Sequence, residues 1–375
     1  MNRSEVSPSA APIQVHGLTR GELRREARRV LGHGAGVYRE VYRQVFAEGL
    51  FSPERLVVAS GQRLGARAIG EWRRAFRADL PEPVTVREEP GALGTTGKAV
   101  LRLADGLEIE TVSIPMGRER RTLCVSSQVG CKMGCTFCET GRMGLLRRLT
   151  ADEIIAQLLF TRHRLGWEFR NVVFMGMGEA LDNFPALAQA LQIMTDPSGM
   201  AMAQERITVC TVGDVDGIRR LARLGYKRLN LAVSLNAARD ELRRRIMPIN
   251  QRYPLARLQA ALADYRPRRN FWLAINYCLM PGINDQPEDL TAIAEFCRPI
   301  PHAMLNVIPY NPTVSPLTRA PEAEEVNQFV RGLRAVGVRV RRRTTKGRTV
   351  HAACGQLGNA NLRRRRVLPL ASRDA

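Results

Sequence analysis

Residues 122–357 alternate between short apolar runs typical of β-strands and longer stretches with helical periodicity. The runs that predict strands lie at residues 171–174, 207–209, 228–233, 272–277, 305–308 and 338–341. The stretches that predict helices lie at residues 151–162, 185–195, 216–224, 238–245, 255–265, 287–296 and 323–335. Such alternation predicts an α/β fold with a parallel sheet. Because about six βα units are present, fewer than the eight of a closed barrel, we expect a partial (βα)6 barrel whose site lies at the carboxyl ends of the strands.

The segments around this region differ in character. Residues 21–31 and 37–47 carry apolar side chains at helical spacing, whereas the β-type runs between residues 84 and 112 flank an Asp105-Gly106 hairpin signal. We therefore expect five parts along the chain: a disordered tail (1–13), a helical accessory domain (14–82), a small β-hairpin linker (83–118), the core (119–360) and a basic tail (361–375). The helical domain is either a nucleic-acid-binding unit or a cap on the barrel.

Positive charge is the second strong signal. The chain has 57 Lys and Arg residues against 36 Asp and Glu, which gives a net charge of +21. Such an excess favours a polyanionic partner, and nucleic acid is the first candidate. The alternative is an arginine-rich coding bias that only solvates the surface.

Hydropathy and cysteine usage bear on the compartment. No run of about 18 apolar residues is present, and the first residues lack the apolar stretch of a signal peptide. The chain has eight cysteines, four of them between Cys124 and Cys138, which indicates a metal or redox site in a reducing compartment. We expect a cytoplasmic protein.

Three of these cysteines, Cys131, Cys135 and Cys138, form a C-x3-C-x2-C loop with Phe137 before the last one. Three thiolates on one short loop can each ligate one iron of a [4Fe–4S] cube, because soft sulfur ligands suit iron–sulfur clusters. The fourth iron then stays open to a small molecule. A structural zinc site is the alternative, but zinc usually takes four ligands in paired knuckles, and no second pair lies near this loop.

Further motifs accompany the loop in a fixed order, at residues 122–131, 175–179, 231–235, 246–250, 308–312 and 352–357. Together with the loop they resemble the RlmN/Cfr family of radical-SAM RNA adenine methyltransferases, and the resemblance extends over residues 17–360. It implies a partial (βα)6 radical-SAM barrel in which Cys131, Cys135 and Cys138 hold the cluster. The residues that match the family's S-adenosylmethionine contacts are Gly178, Glu179, Cys210, Ser234, Leu235, Asn236 and Asn311.

The resemblance also implies a two-cysteine reaction. The cysteine that matches Cys354 takes a methyl group from one S-adenosylmethionine, and a 5′-deoxyadenosyl radical from a second one removes a hydrogen from that methyl. The resulting carbon radical adds to the adenine ring. Glu110 matches the family's proton acceptor, and Cys124 matches the cysteine that releases the base by forming a transient Cys124–Cys354 disulfide. Cys278 and Cys297 occupy apolar positions, where we expect buried thiols.

The sequence departs from the family pattern at three places. Cys210 replaces the usual serine, and Asn236 replaces the usual histidine after Ser234 and Leu235. Residues 346–351, with Arg348 and His351, replace a run that usually carries acidic residues. We therefore expect a divergent RlmN-like paralogue in which cofactor binding is retained and the surface presented to RNA is altered.

The sequence as a whole predicts an RNA methyltransferase that modifies C2 or C8 of an adenine, in 23S rRNA or also in tRNA. The implied partners are RNA and a reducing system such as flavodoxin or ferredoxin. Two alternatives remain: a radical enzyme that acts on a non-RNA substrate, and a non-catalytic iron–sulfur protein that binds RNA. Steep salt dependence of RNA binding would disfavour the first, and 5′-deoxyadenosine formation would disfavour the second.

Overall fold

The computed structural model describes residues 11–57, 61–117, 120–265 and 267–358. Most of the predicted N-terminal tail and the predicted basic C-terminal tail lie outside the described residues. The chain forms two compact units. The first contains Met1–Leu80, Thr150–Gly166 and Ala188–Met202, and the second contains Pro81–Leu149, Trp167–Leu187 and Ala203–Ala375.

The first unit is built mainly from helices. Its N-terminal elements are β1 (Ile13–Gln14), α1 (Arg20–Val30), α2 (Tyr38–Glu48), α3 (Ala66–Ala75) and β2 (Phe76–Arg77). Helix α1 begins with a capping box, in which Thr19 and Glu22 satisfy each other's backbone amides. Strands β1 and β2 pair in parallel, so Ile13 is paired with Phe76 and does not belong to a disordered tail.

The remaining elements follow in chain order. The strands are β3 (Glu82–Glu89), β4 (Thr96–Arg102), β5 (Glu108–Pro115), β6 (Arg121–Cys124), β7 (Gln128–Cys131), β8 (Gly144–Arg148), β9 (Asn171–Phe174), β10 (Ile207–Thr211), β11 (Asn230–Ser234), β12 (Leu273–Leu279), β13 (Ala303–Pro309) and β14 (Val340–Arg342). The helices are α4 (Glu139–Met143), α5 (Ala151–His163), α6 (Phe184–Thr195), α7 (Val215–Arg223), α8 (Asp240–Ile246), α9 (Leu255–Asp264), α10 (Pro287–Cys297) and α11 (Ala323–Ala335).

A ten-stranded sheet organises the second unit, in the order β14-β13-β12-β11-β10-β9-β6-β5-β4-β3. Within this sheet, β6 and the strands β9 to β14 pair in parallel with their neighbours, which confirms the predicted α/β architecture. Strands β7 and β8 form a separate two-stranded sheet. The six predicted strands are β9 to β14. The sequence pattern missed β6, the first parallel strand, because it is four residues long and mixes polar and apolar side chains.

The predicted β linker needs correction. Its three strands β3, β4 and β5 form as expected, but they do not make a small sheet of their own. They pair antiparallel with one another, and β5 pairs antiparallel with β6, so they extend the ten-stranded sheet. Strand β5 therefore lies in the same sheet as the barrel strands.

Within the described residues, no helix has both the length and the apolar character that a membrane span requires.

Close packing of strand β4 against Trp167 yields a stability prediction. A Cβ atom at Gly97 on β4 would overlap the indole ring of the buried Trp167. We expect Gly97→Ala to lower the free energy of unfolding by about 1–3 kcal/mol, because overpacking forces neighbouring groups to shift. Urea denaturation measures the change.

The matched control for this variant is Gly70→Ala. Gly70 lies inside α3, and a Cβ atom there would meet nothing within 4 Å. This change should raise the free energy of unfolding by about 0.5–1 kcal/mol, because alanine favours the helix more than glycine does. If Gly97→Ala were as stable as the wild type, the packing of Trp167 on β4 would be wrong.

Candidate active site

The three predicted cluster ligands lie on one tight loop. Cys131 ends β7, which pairs antiparallel with β8, and Cys138 is the residue before α4. The amide of Cys138 donates to the carbonyl of Cys135 at 3.2 Å, and the amide of Thr136 donates to Ile246 at 3.0 Å. The loop is therefore closed on itself and fixed to the end of α8.

Burial disfavours ionisation of these thiols. It raises the pKa of Cys131 to about 12 and the pKa of Cys135 well above its usual value. The negative charge of a Cys138 thiolate raises the pKa of each of these two thiols further, because two nearby negative charges repel each other. Within the described residues, no three Cys, His, Asp or Glu side chains are arranged to hold a metal ion. What fits a cluster is the donor set: three soft sulfur ligands on one buried loop.

A buried cation lies behind the loop. Arg243 of α8 is fully buried, and its guanidinium donates to the carbonyl of Leu235 at 3.0 Å, to Asn250 Oδ1 at 2.9 Å and to the carbonyl of Val212 at 2.7 Å. Its positive charge lowers the pKa of Cys135, although burial has the larger and opposite effect. Arg243 is thus a buried cation that opposes a negative charge on Cys135.

A cavity of about 150 Å³ opens beside the loop. It gathers predicted site residues from the loop, from the carboxyl ends of the parallel strands and from the C-terminal segment: Cys135, Cys138, Gly178, Glu179, Cys210, Ser234, Asn236 and Cys354. Leu235 is instead fully buried. Asn311 is buried as well, and its side-chain amide lies 3.5 Å from the carbonyl of Cys354, at the limit of a hydrogen bond.

Glu179 presents a buried carboxylate to this cavity. Its Oε2 accepts a hydrogen bond from the amide of Val212 at 2.8 Å, and its Oε1 accepts one from Leu181 at 3.2 Å. Burial raises the pKa of Glu179 to about 7. Gly178 has a φ of 100°, and a Cβ atom there would lie 2.6 Å from Cβ of Gln128, so only glycine allows the turn.

The two residues that depart from the family pattern at cofactor-contact positions, Cys210 and Asn236, have different environments. Cys210, at the end of β10, is buried, and burial raises the pKa of its thiol. Asn236 has a φ of 56°, a left-handed conformation that asparagine tolerates better than most residues. Its Oδ1 accepts from the amide of Cys278 at 2.9 Å, so part of its side chain fixes the turn after β11.

The two cysteines outside the motifs are less buried than predicted. Cys278 and Cys297 are both half-buried. Cys278 lines the cavity, because β12 brings its side chain to the same edge of the sheet as Cys210. The apolar pattern of a strand with both faces covered does not distinguish a core position from one that faces a cavity.

Cys354 and Cys124 lie in one neighbourhood but in different environments. Cys354 is exposed toward the cavity, although the protein atoms around its sulfur raise the pKa of the thiol. Cys124 is buried at the end of β6 in a cluster that includes Ala352 and Leu357, which flank Cys354. Burial raises the pKa of Cys124, and the negative charge of a Cys354 thiolate would raise it further.

Glu110 faces a second cavity, of about 460 Å³. The residue is buried, and its Oε2 lies 2.9 Å from Nζ of Lys98 and accepts from the amide of Gly358 at 3.2 Å. Burial raises the pKa of Glu110, and the Lys98 ammonium partly opposes this. Gln356 and Gly358 line this cavity, whereas Cys354 and Gly355 line the smaller one. Residues 354–358 therefore border both cavities.

The segment before Cys354 is fixed to the sheet edge. The carboxylate of Glu89 on β3 accepts from the amide of Gly347 at 2.9 Å and from the amide of Thr349 at 2.7 Å. Arg348 Nε lies 3.4 Å from Asn311 Oδ1. The departures at Arg348 and His351 thus lie on an anchored loop, and His351 lines the larger cavity.

Comparison with known proteins decides the family. Residues 125–297 match the Radical SAM superfamily. A probable dual-specificity RNA methyltransferase RlmN 1 of Protochlamydia amoebophila is 44% identical over 74% of this chain and 77% of its own length. The dual-specificity RNA methyltransferase RlmN of Rhodospirillum rubrum is 37% identical over 98% of this chain and 85% of its own length. The chain belongs to the RlmN family of radical-SAM methyltransferases.

A solved structure agrees with this assignment. The crystal structure of a radical SAM methyltransferase from Sphaerobacter thermophilus has a TM-score of 0.82 and 34% identity, and the match covers 92% of this chain and 99% of that one. Membership of the superfamily confirms the predicted cofactors, a [4Fe–4S] cluster and S-adenosylmethionine.

Sequence reasoning missed two residues of this RlmN-family site, Lys98 and Arg243. The sequence pattern suggests an ordinary surface charge in both cases, because Lys98 lies in a β-type run and Arg243 lies in an arginine-rich helix. The available signal for Arg243 was weak: it is one of three consecutive arginines, and the helix periodicity alone would place one of them inward.

The raised pKa of Glu179 predicts a pH-dependent stability. An unfolded carboxyl group titrates near 4.5, so between that pH and about 7 the folded state holds a proton that the unfolded state has lost. Stability therefore falls as the pH rises through this window. From about pH 5.5 to about pH 8, cofactor-free wild type should lose about 2 kcal/mol more unfolding free energy than Glu179→Gln.

Urea titrations at the two pH values measure this difference. Glu168→Gln, a change at an exposed glutamate, is the control and should follow the wild type. Equal losses in wild type and Glu179→Gln would show that Glu179 does not titrate near neutral pH.

Proposed function

We propose that this chain methylates a ring carbon, C2 or C8, of an adenine in RNA through an S-methylcysteine at Cys354. The observation that carries the proposal is the position of Cys354 on the same cavity as Cys135 and Cys138 of the cysteine loop. We propose 23S rRNA as the main substrate and tRNA as a second one, consistent with the dual-specificity names of its relatives.

The residues around the smaller cavity suit the two cofactors. We assign Cys131, Cys135 and Cys138 as the cluster ligands. The cluster, when bound with S-adenosylmethionine, supplies the radical chemistry. The buried carboxylate of Glu179 would pair with the ammonium group of S-adenosylmethionine, and the other proposed contacts of this cofactor are Gly178, Cys210, Ser234, Leu235, Asn236 and Asn311.

Cys354 has the properties of a methyl carrier. Its side chain is exposed toward the cavity, so a sulfonium methyl group can reach the sulfur. The protein atoms around its sulfur raise the pKa of the thiol, and the positive charge of Arg343 partly opposes this rise and favours the thiolate. A thiolate is a strong nucleophile toward a methyl group on a sulfonium centre.

Glu110 and Cys124 complete the proposed reaction. Glu110 has a raised pKa, which makes its carboxylate a better proton acceptor for the ring hydrogen of the adduct, and the cluster, when bound, would take up the remaining unpaired electron. Cys124 then attacks the Cys354 sulfur, so that a Cys124–Cys354 bond forms, the carbon–sulfur bond to the base breaks, and the released carbon takes up a proton. We propose that a reducing system such as flavodoxin or ferredoxin supplies the electrons. We also propose that the protein acts in the cytoplasm.

The RNA assignment rests on charge and space as well. The net charge of +21 favours a polyanion, and such binding weakens steeply with salt. The larger cavity, beside Glu110, has about 460 Å³ and can accommodate a base that has left its stack. We therefore propose that the target adenine enters this cavity.

Cys354→Ala tests the carrier role. With the carrier thiol removed, we expect no detectable C-methyladenosine, while iron content and the cluster's visible absorbance stay at wild-type levels. Nucleoside mass spectrometry after anaerobic incubation with bacterial RNA measures the product. Cys297→Ala, a change at the half-buried thiol of α10, is the control and should retain activity. Wild-type product from Cys354→Ala would exclude the carrier role.

Cys124→Ala tests the releasing role. Because the adduct forms before Cys124 acts, this variant should accumulate a covalent protein–RNA species that survives denaturation. A denaturing gel detects it as a slow band that ribonuclease removes. Normal turnover without such a band would remove Cys124 from the mechanism.

Cys135→Ala tests the cluster assignment. Loss of one of three sulfur ligands should reduce bound iron and sulfide after reconstitution to a small fraction of the wild-type amount. Cys278→Ala, a change at a thiol on the same cavity, should leave the iron content unchanged. Full iron loading of Cys135→Ala would contradict the assignment.

A further inference from the structure

A buried ion pair joins the sheet edge to the segment that carries Cys354. Lys98 projects from β4 and Glu110 from β5, and the two side chains are only 9% and 6% exposed. Nζ of Lys98 lies 2.9 Å from Oε2 of Glu110 and donates to the carbonyl of His351, also at 2.9 Å. Lys98 thus makes one contact to the carboxylate and one to the backbone of the C-terminal segment.

Glu110 makes the matching contact on the other side of Cys354. Its Oε2 accepts from the amide of Gly358 at 3.2 Å. His351 precedes Cys354 by three residues and Gly358 follows it by four, so the ion pair holds both ends of this short segment. Residues 351–358 are called the carrier segment below.

Stability alone does not explain such a pair. A buried ion pair is often no more stabilising than apolar side chains of similar size, because both charges lose their hydration. Here the pair also satisfies one carbonyl and one amide of the carrier segment. Its specific effect is therefore geometric: it fixes where Cys354 lies relative to the Glu110 carboxylate.

We propose that Lys98 is a positioning residue for the reaction, which holds the carrier segment and the Glu110 carboxylate in one fixed arrangement. The proposal rests on the function proposed for Cys354 and Glu110. Its two contacts are to the Glu110 carboxylate and to the carbonyl of His351, so it acts through these groups, while its side chain also lines the larger cavity. Its removal frees the segment at His351 and also leaves Glu110 as an unpaired buried carboxylate.

The test separates the two halves of the reaction. Glu110→Gln leaves the Lys98–His351 contact in place and keeps a side-chain oxygen near the Gly358 amide, so methylation of Cys354 should be slowed far less than by Lys98→Met, while base methylation is lost. Lys98→Met should slow both steps, each by about 100-fold, because a displacement of about 1 Å is enough to cause such a loss. Mass spectrometry of the Cys354 peptide and of the nucleosides measures the two steps.

Two further variants control for charge and folding. Lys227→Met removes one exposed positive charge and should leave both steps unchanged. Lys98→Met combined with Glu110→Gln avoids an unpaired buried charge, so it remains informative if Lys98→Met alone does not fold. The double variant should methylate Cys354 far more slowly than Glu110→Gln, and equal rates in the two would overturn the proposal.

Hydrogen exchange gives a readout that needs no activity. The peptide covering residues 345–358 should exchange at least about tenfold faster in the double variant than in Glu110→Gln, because local opening of the segment becomes easier. Lys98→Arg, which retains a cationic donor, should restore part of the protection. Unchanged exchange would overturn the anchoring. Absence of S-methylcysteine in the wild type would instead refute the proposed function, while the exchange experiment would still test the anchor.

Discussion

Parallel, in-register strand pairing is the constraint on which the site depends. In the ten-stranded sheet, β6 and the strands β9 to β13 run in the same direction, so their carboxyl ends lie along one edge of the sheet. That edge brings together Cys124, Glu179, Cys210 and Ser234, which are up to 110 residues apart along the chain. The side chains along the strands pack the core, and the residues at or beyond the carboxyl ends can take whatever type the chemistry requires. The proposed carrier then needs only one more segment, residues 351–358, to reach the same edge.

The site concentrates charge that burial makes unfavourable. Glu179, Glu110, Lys98 and Arg243 are all buried, and each has specific hydrogen-bond partners that offset its lost hydration. This arrangement stabilises the fold less than an apolar core would. It places a carboxylate of raised pKa at each cavity, a cation behind the cysteine loop and a cation beside Glu110. We infer that these groups are retained for positioning and electrostatics.

The sequence was sufficient to predict most of the architecture. Strands β9 to β14 and the helices between them follow from periodicity, because each strand is a short apolar run and each helix is amphipathic or apolar over several turns. Strand β6 was not predicted because its four residues mix polar and apolar side chains, whereas the equally short β9 is mostly apolar. The sequence also did not predict that β3, β4 and β5 belong to the main sheet. Their hairpin signals determine which of them pair with each other, but these signals do not identify the strand that β5 joins. That partner is set by the long-range contact of Val112 with Cys124.

The candidate site was predictable where it depends on spacing. Cys131, Cys135 and Cys138 are recognisable in eight residues, and the family motifs supply Cys354, Cys124 and Glu110. Lys98 was not, because its role arises from the approach of His351, 253 residues further along the chain. Cys278 was misjudged for a similar reason: its exposure depends on a cavity that no local pattern encodes.

The central claim is that the methyl carbon passes through the sulfur of Cys354. Anaerobic turnover with S-adenosylmethionine that carries a fully deuterated methyl group tests it most directly. Removal of one deuterium from the sulfur-bound methyl, followed by uptake of one proton on release, predicts a C-methyladenosine with two deuterium atoms in its methyl group. Mass spectrometry of the nucleosides reads this number. A product that retains all three deuterium atoms would mean direct transfer to the base and would contradict the two-cysteine account.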